Sequence, residues 1–141
     1  MRTYSAQLEI DVAPAVLWPL VGDVKRHPEW AMDEIEVTEL GADRYLSSVR
    51  SGSRTLTAQI SVITSLVEEL FEFRVRDETG TYMHRIGLAG IENGTLVTRQ
   101  VTPMNLSLGQ RVLSTAARSP IRIQNLHGSL QRLAAAVTIG S

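Results

Sequence analysis

The amphipathic segment near the end of the chain constrains the fold more than any other stretch. Its apolar residues recur at spacings of three and four, which is typical of one stripe along a helix: Ile123, Leu126, Leu130, Leu133 and Val137. Ser119 suits the N-cap and Pro120 the first helical position, so we expect a helix over 119–137, roughly 28 Å long. Ser129 and Arg132 lie mainly off the stripe and are expected to face solvent. Such a helix needs an apolar surface to pack on, and the sequence before it offers only a sheet.

The segments before this helix alternate between apolar and polar residues, as half-buried strands do. We predict about seven strands joined by short polar turns: Tyr4–Val12, Glu34–Leu40, Arg44–Arg50, Arg54–Val62, Leu70–Arg76, Tyr82–Ala89 and Thr95–Thr102. Pro103 is expected to stop the last strand. Two short helices follow the first strand, at 15–21 and 24–30, and residues 108–118 have helical composition. The prediction is an α+β fold in which a curved antiparallel sheet wraps around the long C-terminal helix.

Composition and charge argue against several classes of function. The chain has 141 residues, which fits a single domain over 1–141, and a net charge of −1 with no cluster of Lys and Arg. We therefore expect no nucleic-acid partner. No apolar run approaches the roughly 20 residues that span a bilayer, and the N-terminus does not resemble a signal peptide. A cytoplasmic protein without membrane insertion is expected; its oligomeric state is open, and a homodimer is one alternative.

Metal and cofactor chemistry has no support in the sequence. The chain contains no cysteine, so it offers neither a thiol nucleophile nor a Cys-ligated zinc site. The histidines His27, His84 and His127 lie on separate predicted elements without the spacing of metal ligands. Neither a glycine-rich nucleotide motif nor a Gly-x-Ser-x-Gly motif occurs. We expect no metal and no cofactor.

Arg99 is the first candidate for ligand recognition or catalysis. It alternates in phase with Val97 and Val101. If that face is concave, the guanidinium points toward a cavity, where an anion or a set of acceptors would offset its desolvation. It would then hold a ligand carboxylate or enolate. The alternative is that Arg99 faces solvent or pairs with a Glu on a neighbouring strand.

His84 and Tyr82 are the second and third candidates. They share one face of their strand with Ile86 and Leu88. The ordinary pKa of a histidine, about 6.5, suits proton transfer near neutral pH, and a tyrosine can donate to a ketone oxygen. Together with Arg99 they would supply a base, a donor and an oxyanion stabiliser for aldol-type cyclisation. The alternative is a structural histidine whose nitrogens are hydrogen-bonded at a strand end.

A pocket is expected between the curved sheet and the closing helix, because the helix does not fill the whole concave face. The residues expected to contact a ligand there are mostly apolar: Trp30, Phe71, Phe73, Ile86, Val97, Leu126, His127 and Leu130. Trp30 either forms a wall of the pocket or packs in the core. His127 flanks the apolar stripe of the helix and is expected to face the cavity or its rim.

The order of elements and four sequence stretches resemble the START-like (SRPBCC) superfamily, and more narrowly its bacterial polyketide cyclase/dehydrase group. The stretches are Asp11-Val-Ala-Pro-Ala-Val-Leu-Trp18, Asp23-Val-Lys-Arg-His-Pro-Glu-Trp30, Asn93-Gly-Thr-Leu-Val97 and Ser129-Leu-Gln-Arg-Leu133. The resemblance implies the helix-grip fold. It does not imply one activity, since the family includes lipid carriers, hormone receptors, aromatase/cyclases and chaperone activators.

Three hypotheses of function follow. The first is a binding module that holds a small hydrophobic ligand such as a lipid, an isoprenoid or a polyketide. The second is a polyketide cyclase, aromatase or dehydrase that uses His84, Tyr82 and Arg99. The third is an interaction protein, for example a stress-response or toxin–antitoxin partner. Only the third is expected to have a filled interior without a ligand-sized cavity.

Overall fold

The computed structural model describes residues 3–31, 35–51, 53–106 and 123–139. Within them lie seven strands: β1 (Tyr4–Ile10), β2 (Ile35–Gly41), β3 (Arg44–Ser51), β4 (Arg54–Leu66), β5 (Leu70–Asp77), β6 (Gly80–Ile91) and β7 (Gly94–Leu106). The described helices are α1 (Pro14–Val21), a 3-10 helix (Val24–Glu29) and α2 (Ile123–Ile139). The α+β prediction is therefore confirmed. Ser119, Pro120 and the segment 108–118, for which helix was predicted, lie outside the described residues.

The seven strands form one antiparallel sheet in the order β1-β7-β6-β5-β4-β3-β2. The alternation of the sequence decides which residues face the concave side. On β6, for example, Tyr82, Ile86 and Leu88 are buried while Arg85 is exposed. The register then aligns the inward residues of neighbouring strands in rows, because Arg99 pairs with Ile86 and Ile86 with Phe71. This alignment gives the concave side a largely apolar surface into which Arg99 also projects.

Helix α2 covers only one part of that surface. Its stripe is buried at four positions: Leu126, Leu130, Leu133 and Val137. The helix packs mainly against β1, with further contacts to β7, α1 and the 3-10 helix. Among the described residues, no helix is long and apolar enough to cross a membrane. Within the described residues, α2 thus does not pack mainly on the part of the concave surface formed by β3, β4 and β5.

The prediction that Pro103 stops the last strand is wrong. Strand β7 continues past it to Leu106, and Pro103 pairs with Tyr82 across a local irregularity in the register. Strand β1 begins at Tyr4, which pairs with Val101. Within the described residues β1 does not extend to Pro103, so the missing N–H of Pro103 removes no described ladder hydrogen bond to β1.

Candidate functional site

A cavity of about 720 Å³ opens in the concave face of the sheet. Its apolar wall is formed largely by β2 to β5, through Val37, Leu56, Ala58, Ile60, Phe73 and Val75. The 3-10 helix lies over it with His27, and the turn between β5 and β6 adds polar groups from Asp77 to Thr79. Strands β6 and β7 contribute His84 and Arg99.

The predicted position of the pocket needs a correction. The sequence suggests a cavity between the sheet and the closing helix, whereas no described side chain of α2 lines the observed one. The physical reason is the packing of α2 over β1 and β7, where Leu130 and Leu133 are completely buried. Helix and cavity thus occupy different parts of the same concave face.

Arg99 is a buried charged residue of this site. Its side chain is only 5% exposed, and it lines the cavity. One guanidinium nitrogen, Nη1, donates to Ser129 Oγ at 2.5 Å, and the guanidinium carbon lies 5.6 Å from the ring centre of Trp30. Its Nε has no hydrogen-bond partner. Burial, and secondarily the charge of Arg132, lowers the pKa of Arg99 to about 10, so it stays protonated at neutral pH.

The prediction that Ser129 faces solvent is wrong. Ser129 is completely buried, because its hydroxyl is the group on α2 that meets Arg99. The hydroxyl donates in turn to the carbonyl oxygen of Leu126 at 2.6 Å, so its own hydrogen is already in use. Arg132 Nε donates to the carbonyl oxygen of Trp30 at 3.0 Å. Two polar residues of the helix therefore fix it to the sheet and to the loop after the 3-10 helix.

The aromatic rings near the cavity form one cluster around His27. The His27 ring centre lies 5.3 to 5.7 Å from those of Trp30, Phe71 and Phe73. Its Nε2 lies 2.9 Å from the carbonyl oxygen of Val21, which only accepts, so Nε2 carries the hydrogen. Burial lowers the pKa of His27 to about 4, against the opposing effect of that hydrogen bond. His27 is accordingly neutral near pH 7.

His84 stacks on Phe73, with ring centres 4.7 Å apart and an angle of 16° between the planes. It pairs across the sheet with Val101, so it is the diagonal neighbour of Arg99 on the concave face. Its Nδ1 is buried without a hydrogen-bond partner. Burial, with the nearby charge of Arg99, lowers the pKa of His84 well below its ordinary value. A neutral imidazole and a guanidinium thus stand side by side on the cavity wall.

The residues singled out from the sequence fall into separate groups. Phe73, His84 and Arg99 line the cavity. Seven others lie in the buried core outside the described lining: Tyr82, Trp30, Phe71, Ile86, Val97, Leu126 and Leu130. His127 is half-buried and also lies outside the described lining.

Tyr82 has a hydrogen-bond partner that limits its chemistry. Its hydroxyl lies 2.6 Å from Thr79 Oγ1, and that oxygen lies 2.6 Å from Asp77 Oδ1. Because the carboxylate only accepts, Thr79 donates to Asp77 and Tyr82 donates to Thr79. The phenolic hydrogen is thus directed at the β5–β6 turn and away from His84.

Sequence reasoning did not select His27 as a site residue. The available signal was its place in the stretch Asp23-Val-Lys-Arg-His-Pro-Glu-Trp30, in which Asp23 caps the 3-10 helix by accepting from the Lys25 amide at 3.0 Å. Trp30 of the same stretch donates through Nε1 to the carbonyl oxygen of Leu20. Among the described residues, no three His, Asp or Glu side chains come together as a metal site.

Comparisons with known proteins identify the fold. No protein-family model matches the chain, and no curated protein matches it at a significant level. The structure of the chain does match solved structures. A conserved protein from Geobacillus kaustophilus shares 15% identity and a TM-score of 0.74, over 99% of this chain and 97% of that one. The Aha1 dimer from Colwellia psychrerythraea shares 12% identity and a TM-score of 0.68, over 100% and 99%. Ara h 8.0201 is 15% identical in sequence with a TM-score of 0.68, over 98% of each chain.

Proposed function

We propose that this chain, which has the helix-grip fold of Bet v 1-like and SRPBCC proteins, binds a small hydrophobic ligand in the cavity under β3, β4 and β5. The observation that carries the proposal is the cavity itself. At about 720 Å³ it falls within the roughly 300–1,000 Å³ of pockets that hold small molecules. A protein that works only through its outer surface is expected to have a filled interior.

The distribution of polar groups supports the same function. The wall supplied by Leu56, Ala58 and Ile60 is apolar and suits the body of a ligand. Hydrogen-bonding groups on β3 and β4 line the cavity as well, among them Ser47, Thr57 and Gln59, and its charged groups include Arg99, Arg76 and Asp77. In such a site apolar contact would supply most of the affinity, and the polar groups would orient the ligand.

The proposal is tested with the uncharged fluorescent probe N-phenyl-1-naphthylamine and by mass spectrometry of a solvent extract. We expect the purified protein to bind the probe and to release a stoichiometric apolar compound. Ala58→Phe, which places a ring in the cavity, is expected to abolish probe binding. Ala89→Phe is the matched control, because Ala89 is exposed on β6 and lies outside the cavity.

Two results would count against a binding function. One is the absence of both probe binding and an extracted compound from the wild-type protein. The other is equal probe binding by the Ala58 and Ala89 variants, which would place the probe elsewhere. Circular dichroism melting of both variants shows whether the added ring disturbs the fold.

Cyclisation of a polyketide is the second candidate, favoured by the neutral His84 beside the Arg99 guanidinium. This pair offers a base and a cation that would stabilise an enolate. The protein would then convert an unreduced poly-β-ketone thioester into a ring product, and His84→Ala would abolish turnover with little change in melting temperature. A wild-type protein that binds the thioester and releases it unchanged would exclude this reaction for that substrate.

A further inference from the structure

The cavity contains a buried cation for which the described residues supply no counter-ion. Arg99 forms no ion pair with any described Asp or Glu, and the nearby charge that acts on it is the like charge of Arg132. Its one hydrogen bond to a side chain goes to the neutral hydroxyl of Ser129, and its Nε is unpaired. A buried charge of this kind is costly unless an anion compensates it.

The other groups around Arg99 supply no negative charge to compensate it. His84 stands diagonally next to it with an unpaired Nδ1, and His27 lines the cavity from the 3-10 helix. Arg132 approaches from α2. The two histidines are neutral near pH 7 and Arg132 is a cation, so none of the three is a counter-ion for Arg99. The carboxylates that line the cavity are those of Asp77, the last residue of β5, and Glu78, in the turn that follows.

We propose that the ligand is an apolar acid whose single carboxylate is held by the guanidinium of Arg99, with its apolar body against the wall formed by β3 and β4. This assignment rests on the proposed function and specifies its ligand class. A carboxylate matches the planar fork of a guanidinium and supplies the missing counter-charge. The aromatic face of Trp30 holds the guanidinium from one side, so the cation is positioned before the ligand arrives.

A purely structural role for Arg99 makes a different prediction. Arg99 would then only stabilise the fold, through its hydrogen bond to Ser129 on α2 and its contact with Trp30. In that case the charge of a ligand would not affect binding. The two roles are separated by comparing ligands that differ in charge and share the same apolar chain.

The experiment displaces N-phenyl-1-naphthylamine with dodecanoate or with dodecanol near neutral pH. We expect dodecanoate to displace half of the probe at about tenfold lower concentration than dodecanol, because the carboxylate gains one charge-assisted hydrogen-bonded contact. Arg99→Gln is expected to bring this ratio close to one, and Arg99→Lys to preserve most of it. Arg74→Gln is the matched control, because Arg74 is exposed on β5 and should leave the ratio unchanged.

Failure of this inference is distinguishable from failure of the proposed function. Absence of probe binding to the wild-type protein overturns the binding function and this inference together. Probe binding with equal displacement by dodecanoate and dodecanol overturns the carboxylate assignment alone. The wild-type comparison decides the question even if Arg99→Gln does not fold, and an undiminished ratio in a folded Arg99→Gln protein would exclude Arg99 as the group responsible.

Discussion

Acidification is expected to destabilise this protein through His27. The imidazole is 5% exposed, lies among the rings of Trp30, Phe71 and Phe73, and donates to the Val21 carbonyl oxygen. A second proton on Nδ1 would place a charge in this apolar cluster, close to the cationic Arg99. This environment lowers the pKa of His27 from 6.5 to about 4 in the folded protein.

The sign and size of the effect follow from proton linkage. The folded-state pKa of His27 is depressed, so between pH 6.5 and about pH 4 the unfolded chain binds more protons than the folded protein. The free energy of unfolding therefore falls as pH falls, starting near pH 6.5. At about pH 4.5 the loss that arises from His27 amounts to about 2.5 kcal/mol. His84 acts in the same direction, because burial also lowers its pKa.

The assay is urea unfolding, followed by circular dichroism, at several values between about pH 7.5 and about pH 4.5. His27→Gln removes the titrating ring and keeps an amide N–H for the Val21 carbonyl oxygen. We expect the wild-type protein to lose about 2.5 kcal/mol more than this variant over the range. Equal losses in the two proteins would refute the reasoning, since the pH dependence would then come from other groups.

Two further predictions concern packing. Leu133→Ala should lower the free energy of unfolding by about 3 kcal/mol in urea titration, because this side chain of α2 is completely buried against the sheet. Val16→Ala, at a half-exposed position, should cost less than about 0.5 kcal/mol, and similar losses would contradict the described core. Gly94→Ala should cost about 2 kcal/mol, since a Cβ there would lie 2.2 Å from the Ile10 carbonyl oxygen. Gly87→Ala, where a Cβ meets nothing within 4 Å, is the control, and equal melting temperatures would disprove the close approach.

The fold was predictable because its signals are local. Alternation within each strand and short polar turns define an antiparallel meander, and the stripe from Leu126 to Val137 defines the closing helix. The end of β7 was not predictable in this way. Whether Pro103 breaks the strand depends on where the neighbouring strand β1 begins, and that register is a tertiary property.

The candidate site was predictable only in part. The phase of Arg99 with Val97 and Val101 correctly places it on the concave face. The burial of Ser129 could not be predicted from the helix pattern, because it depends on a tertiary contact, the hydrogen bond from Arg99. The position of the cavity could not be predicted either. The sequence indicates that α2 packs on the sheet, but it does not indicate which strands α2 covers.

The offset between α2 and the cavity separates two kinds of evolutionary constraint. Substitutions of Leu130 or Leu133, on the buried side of the helix, act through folding, whichever function the protein has. Under the proposed binding function, substitutions on β4, at Leu56 or Ala58, mainly change the shape of the cavity that meets the ligand. Under that function the ligand preference can change through β4, while the helix and the strands beneath it stay as they are.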